Sequence, residues 1–114
     1  MSLIVVLASI GMVVYATSVT RAREAVLRED LYRMRQAIDQ YYADKNKYPE
    51  SLAALVSEQY LREMPKDPFT NSTETWQTVA AEPEPGRTEL EPGIYDVKSG
   101  ATTVALDGTN YAEW

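Results

Sequence analysis

The sequence predicts an α+β protein in which one long N-terminal helix, apolar and then amphipathic, packs on a small head. Neither Pro nor Gly occurs between Met12 and Tyr48, so nothing in that stretch is expected to break a helix. A short apolar stripe follows Pro49, and two β-rich stretches, "TWQTVA" and "GIYDVKS", lie further on. With 114 residues, the chain is long enough for one domain with one modest core.

The first 20 residues carry no charged side chain and form the first predicted segment. As a helix they would span about 30 Å, the thickness of a hydrocarbon core. Three interpretations compete: a cleaved signal peptide, a single-pass membrane anchor, and a helix that packs against copies of itself. A signal peptide would need positively charged residues at its start, and Met1-Ser2 supplies none. In the third case the predicted filament core comprises Leu3, Ile4, Val5, Val6, Leu7, Ile10, Met12, Val13 and Val14.

The second segment, residues 21–114, is predicted to be the head together with the amphipathic half of the helix, residues 21–47. Apolar side chains recur there at spacings of 4, 3, 4 and 3, which places them on one helix face. This face is expected to join the helix to the head. Its members are Leu27, Leu31, Met34, Ile38 and Tyr41. Pairs four residues apart are predicted on the exposed surface: Glu24–Arg28, Glu29–Arg33 and Arg35–Asp39.

The rest of the head is predicted to contain a second helix and a small antiparallel sheet. Pro49 suits the first position of a helix that ends within residues 57–60. "MPKDPF" is typical of a rigid extended connector. The two strands flank "AAEPEPGRTELEPG", whose Pro, Gly and Glu content indicates an exposed loop. Asp107-Gly108 indicates a turn, and Trp114 is expected to dock on the head.

Composition excludes several functions. The chain has neither Cys nor His, so disulfides, thiolate metal sites and Ser-His or Cys-His catalysis are absent, and no enzymatic activity is expected. Residues 1–43 hold five Arg and four acidic side chains, a net +1, whereas residues 44–114 hold six basic and thirteen acidic ones, a net −7. An acidic head repels phosphate, so nucleic acid is not an expected partner.

Three stretches, taken in order, resemble the type IV pilin superfamily, and most closely the major (G-type) pseudopilin of type II secretion systems. They are "AREAVLREDLYRMRQAIDQYYADKNKYPESLAALV", "YLREMPKDPFT" and "GIYDVKSGATTVALDGTNYAEW". The family begins with a basic leader, a Gly cleavage site, a Phe and a Glu fifth from the mature end. None of these stands at the start of this sequence, so we expect a shortened start. Val13 lies where the family often has a kinking Pro.

The resemblance implies a structural function. Such subunits wait in the bacterial inner membrane with the apolar helix in lipid, and an assembly platform driven by a cytoplasmic ATPase extracts them. They polymerise into a helical filament in the periplasm or at the cell surface. Implied partners are further copies of this chain, minor pseudopilins and the platform. Two alternatives stay open: a surface pilus for adhesion, motility or DNA uptake, and a membrane-anchored periplasmic binding domain that forms no filament.

Charged residues beside the apolar segment are candidates for contacts between copies, because charges near a packed core need partners. The predicted inter-subunit pairs draw on Arg21, Arg23, Glu24, Arg28, Glu29 and Asp30. The alternative is that the Arg residues form the positive flank of a membrane anchor.

Calcium is the one cofactor that the resemblance suggests, because G-type pseudopilins often bind one Ca²⁺ in the loop before the C-terminus. Asp107 and Asn110 fall in the corresponding stretch, and both offer the oxygen ligands that calcium prefers. A further family Asp has no counterpart near residues 101–103. The alternative is that Asp107-Gly108 is only a turn.

Overall fold

A computed structural model describes residues 2–82 and 93–114, with side chains described from Tyr15 onward in the first helix. The elements are α1 (Ser2–Lys45), α2 (Leu52–Ser57), β1 (Gln77–Ala80), β2 (Ile94–Lys98) and a final 3-10 turn, Tyr111–Glu113. The predicted α+β class is confirmed, with one long helix, one short helix and a small antiparallel sheet.

Helix α1 determines the shape of the molecule. Its 44 residues rise about 66 Å, close to the longest dimension of the protein, 74 Å. The helix ends at Lys45, because Asn46 takes a left-handed conformation with φ of 56°. The Asn46 amide donates to the Tyr42 carbonyl at 2.8 Å, which closes the last turn.

Helix α2 begins later than predicted. Ser51 is its N-cap, and the Ser51 hydroxyl accepts from the Ala54 amide at 3.2 Å. The prediction that Pro49 opens this helix is therefore wrong. Pro49 is buried before the helix, where its carbonyl accepts from the Ile94 amide at 2.7 Å. This bond ties the entry of α2 to the start of β2.

The sheet has two antiparallel strands and is shorter than the predicted stretches. Gln77 pairs with Lys98 and Thr78 with Val97, and a bulge follows Val79. All of β1 is exposed, whereas Val97 of β2 is fully buried. The loop predicted between the strands falls largely in residues 83–92, outside the described residues.

The core lies between α1 and the rest of the head. All five residues predicted to join helix and head are buried. One cluster brings Leu27, Leu31 and Met34 against residues of the C-terminal half: Trp76, Val97, Ala101, Ala105 and Tyr111. A second cluster packs Ala37, Ile38 and Tyr41 against Leu55 of α2.

The "MPKDPF" stretch is only partly the extended connector that was predicted. At Asp67 the chain turns back, since the Asp67 amide donates to the Ser72 carbonyl at 3.0 Å and the Asn71 amide donates to the Asp67 carbonyl at 2.8 Å. The reason is that the Asp67 side chain caps this turn by accepting from the Phe69 amide at 2.9 Å.

Candidate assembly surface

The described contacts between α1 and the head begin at Glu24 and continue to Lys45. Helix residues 2–23 therefore precede these contacts and rise about 33 Å along the axis. Tyr15, at the start of the described side chains, is largely exposed. This part of α1 is the first candidate for contacts outside the chain.

The predicted filament-core residues, Leu3 to Val14, belong to the backbone of α1, but their side chains lie outside those described. No helix in the described part of the chain has both the length and the apolar character that crossing a bilayer requires.

Glu24 is used within the chain, which corrects its predicted role as an inter-subunit charge. Its side chain is 7% exposed, and Oε1 accepts from the Leu106 amide at 2.9 Å and from the Tyr111 hydroxyl at 2.8 Å. The predicted Glu24–Arg28 pair is replaced by these two bonds. Burial, and then the hydrogen bond to Glu24, raise the pKa of Tyr111 to about 12. Glu24 thus anchors the C-terminal segment to the helix.

Two arginines of α1 hold the same C-terminal segment. The Arg28 guanidinium lies 4.3 Å from the centre of the Trp114 ring, a cation–π contact. Arg35 Nε donates to Asp96 Oδ1 at 2.8 Å, and Arg35 Nη2 donates to the carbonyls of Val97 at 3.0 Å and Trp114 at 2.9 Å. Arg35 therefore reaches β2 and not Asp39, the predicted partner. Trp114 is docked on the head, as predicted.

Two of the other predicted inter-subunit residues, Glu29 and Asp30, interact with groups of the same chain. Glu29 accepts from Arg33 at 3.1 Å, which is the one predicted surface pair that forms. Asp30 lies in a groove between α1 and residues 60–66, and burial raises its pKa although Arg33 opposes that shift.

Arg21 and Arg23 are exposed, and no described acidic group lies within ion-pair distance of either. They are the described charges of this set that stay available to a neighbouring molecule.

A buried polar pair that the sequence analysis missed connects the two halves of the head. Asp67 and Ser99 are both fully buried, and the Ser99 hydroxyl donates to Asp67 Oδ2 at 2.5 Å. Ser99 Oγ also accepts from the Ala101 amide at 3.1 Å. The sequence signal for the local turn was Asp67-Pro68, since Asp commonly caps a turn, but nothing local indicated Ser99 as the partner. This pair holds the chain before β1 against the chain after β2.

The residues suggested for calcium form a turn. Asp107 Oδ1 accepts from the amide of Thr109 at 3.0 Å and from its hydroxyl at 2.6 Å, and these bonds lower the pKa of Asp107. Gly108 has φ of +88°, a value that favours glycine. Asn110 bridges to Val104 and precedes the 3-10 turn. The Asp107-Gly108 turn is confirmed. Among the described residues no group of three or more carboxylates is placed to hold a metal ion.

Comparison of the chain with protein-family models, curated proteins and solved structures finds no match. The resemblance to type IV pilins therefore stays a prediction.

Proposed function

We propose that this chain is the repeating subunit of a helical filament of the pseudopilus kind, serving protein secretion. One observation carries the proposal. A single 44-residue helix packs its C-terminal half on the head, and residues 2–20 at its other end are uncharged. The same helix thus joins a head to a segment of very different solubility.

The uncharged segment needs burial on all sides. A helix that is apolar all round is stable only inside protein or lipid, and each Val, Leu or Ile removed from water contributes about 1.5–3 kcal/mol. A bundle of identical helices supplies such burial, and Ala8, Ser9 and Gly11 permit close approach. Lipid supplies it before assembly, so the proposed route begins at the bacterial inner membrane.

The head supports this role because it is tightly linked to the helix. Glu24, Arg28 and Arg35 of α1 each contact the C-terminal segment. One core cluster packs α1 against the C-terminal half of the chain, and the other packs α1 against α2. A head that cannot swing relative to its helix presents the same surface in each copy. When two different surfaces meet in each contact, the same contact can repeat from copy to copy, and it produces an open fibre if the rotation between copies does not close into a ring.

The proposed partners follow from this assembly. They are further copies of the chain, with minor pseudopilins and an inner-membrane assembly platform by resemblance, and the filament would lie in the periplasm or at the cell surface. We propose no catalytic role and no nucleic-acid partner.

Electron microscopy of the intact chain, overexpressed with a secretion assembly system, tests the proposal. Thin helical fibres are expected. Val6→Glu and Ile10→Glu, which each put a charge into the apolar segment, should abolish them. Gln36→Glu is the matched control, because Gln36 is exposed on the same helix beside the head.

Fibres from the control and none from the two variants support the proposal. Single molecules or closed rings from the unchanged chain contradict it and favour an anchored binding domain. Long fibres outside the cell, not confined to the periplasm, favour a surface pilus.

A further inference from the structure

The two outer edges of the small sheet differ, and the edge formed by β2 is covered. The Ile94 amide donates to the Pro49 carbonyl at 2.7 Å. Further along this edge, the Val97 amide donates to Asp96 Oδ1 at 2.7 Å, and the Val97 carbonyl accepts from Arg35 Nη2 at 3.0 Å. Groups of the same chain therefore use the outward backbone groups of β2.

The outer edge of β1 is open. Thr78 is paired with Val97, whose amide and carbonyl are used elsewhere, so the Thr78 amide and carbonyl point away from β2. Backbone direction alternates along a strand, and the Ala81 amide points toward β2, where it donates to the Gly93 carbonyl at 2.8 Å. The Ala80 backbone therefore points outward as well. None of the described groups is hydrogen-bonded to Thr78 or Ala80 on this side.

The composition of β1 leaves this edge suited to pairing. Proteins protect a sheet edge with charged side chains, prolines, bulges, short strands or a covering element. Strand β1 is short and a bulge follows Val79, but its four residues are uncharged, include no proline and are all exposed. A two-stranded sheet is also only marginally stable and is stabilised by further strands.

We propose that β1 pairs antiparallel with β1 of a second copy, so that the two sheets become one sheet of four strands. A pairing centred on Val79 places Thr78 of each copy opposite Ala80 of the other. The outward amides and carbonyls of both residues then form four hydrogen bonds. The strand is self-complementary in this register, since no charged residues of β1 face each other, and this favours a second copy over an unrelated peptide.

This contact has twofold symmetry, so it joins two copies and cannot by itself continue along a fibre. It links copies in two neighbouring fibres whose heads lie outside, and in this respect it rests on the proposed function. Two strands of four residues bury far less than the roughly 1,000 Å² of a stable dimer, so single molecules should pair weakly. Repetition along two fibres strengthens the association.

Disulfide cross-linking of fibres of the full chain tests this register, because the sequence contains no cysteine that could form a competing bond. The Val79 residues of the two copies meet at the centre as a pair without hydrogen bonds, whose Cα atoms lie about 4.5 Å apart. A disulfide can form at that distance. Oxidised Val79→Cys fibres should give a dimer band on a non-reducing gel and no larger species, because each copy has one cysteine.

Gln77→Cys is the matched control. Gln77 is exposed on the same strand and lies two residues from Val79, so it shares the same face. In the proposed register the Gln77 residues of the two copies are four residues apart, or about 14 Å. A disulfide needs Cα atoms within about 7 Å, so this variant should give no dimer band.

A proline tests the hydrogen bonds themselves. Ala80→Pro, added to Val79→Cys, removes the outward amide of each copy and hence two of the four bonds between copies. Proline is tolerated in an edge strand where the amide faces solvent, so the head should stay folded by near-ultraviolet circular dichroism. The dimer yield should fall several-fold. In micrographs, unchanged fibres should associate side by side, and fibres of Ala80→Pro alone should stay single.

A dimer band from Val79→Cys that is absent from Gln77→Cys supports the pairing, and its loss in a folded Ala80→Pro chain supports the assigned bonds. If Ala80→Pro unfolds the head, the two cysteine variants decide. Fibres without a dimer band, equal bands from the two cysteine variants, or unchanged fibres that never associate overturn the pairing and leave the proposed filament intact. Absence of fibres from the unchanged chain overturns both.

Discussion

The tie between Glu24 and Tyr111 gives the sharpest test of how the helix is joined to the head. Tyr111 is 2% exposed and Glu24 is 7% exposed, and the hydrogen bond between them is 2.8 Å long. Tyr111→Phe removes one hydrogen bond to a charged acceptor, which should cost about 1.5–3 kcal/mol. Glu24→Ala leaves two donors, the buried Tyr111 hydroxyl and the half-buried Leu106 amide, without an acceptor. That change should cost about 3–5 kcal/mol.

These costs are large enough to measure in a head of this size. A loss of 1 kcal/mol lowers the melting temperature of a domain of 60–100 residues by about 4–8 °C, so Tyr111→Phe should lower it by roughly 6–24 °C. Near-ultraviolet circular dichroism of the intact chain in mild detergent follows the head, because the signal depends on fixed packing of Trp76 and Trp114.

A double-mutant cycle isolates the bond itself. The two changes share one interaction, so their combined cost should fall short of the sum by about 1–2 kcal/mol. Tyr95→Phe is the control, since Tyr95 is exposed and its loss should stay within about 0.5 kcal/mol. Additivity within about 0.5 kcal/mol for Glu24 and Tyr111 would refute the assigned tie.

Three further predictions concern packing and pH. Leu27→Ala, at a fully buried site, should lower the free energy of unfolding measured in urea by about 2–5 kcal/mol. Val26→Ala, at the neighbouring exposed site, should change that free energy by less than about 0.5 kcal/mol. Equal effects of the two variants would contradict the assigned helix face. Gly100→Ala places a methyl group into the Thr75 carbonyl and should cost about 1–3 kcal/mol, seen as a lower melting temperature; an unchanged value would contradict the close approach. The pKa of Tyr111 is raised to about 12, which favours the neutral hydroxyl in the folded state. This contribution to the free energy of unfolding should be fully present below the ordinary pKa near 10 and should be lost as pH rises toward 12. Urea midpoints measured across this pH range should fall less steeply in Tyr111→Phe than in the unchanged chain, and identical slopes would contradict the burial of this hydroxyl.

The helix and its packing face could be predicted because they depend on local rules. The absence of Pro and Gly between Met12 and Tyr48 predicted a continuous helix, and the apolar spacing from Leu27 to Tyr41 predicted which face is buried. The start of α2 was misplaced because Ser51 and Pro49 are both acceptable near a helix N-terminus, and the hydrogen bond from the Ala54 amide to the Ser51 hydroxyl decided between them.

The polar contacts could not be predicted, because their partners are distant in sequence. Glu24 had a plausible partner in Arg28 four residues on, yet it binds Leu106 and Tyr111, more than eighty residues away. Arg35 likewise reaches Asp96 in preference to Asp39, because β2 lies against that side of the helix. An exposed ion pair between residues four apart on a helix contributes only a few tenths of a kcal/mol. A buried or half-buried partner that the fold brings close is therefore preferred.

Asp67 shows the same limit for a buried group. Its position before Pro68 indicates a turn, but its burial goes with a hydrogen bond from Ser99, which directly follows β2. Such a pair can be predicted only when the topology of the fold is known, because a buried carboxylate is stable only where the fold supplies its hydrogen-bond donors.

The most direct measurement of the central claim is the radial position of α1 in fibres of the intact chain, determined by cryo-electron microscopy. The proposed function predicts that residues 2–20 lie at the fibre axis, packed against the same segment of other copies, with the heads outside. Fibres whose axis is formed by the heads, or an intact chain that stays single under every assembly condition with this segment in lipid, would contradict it.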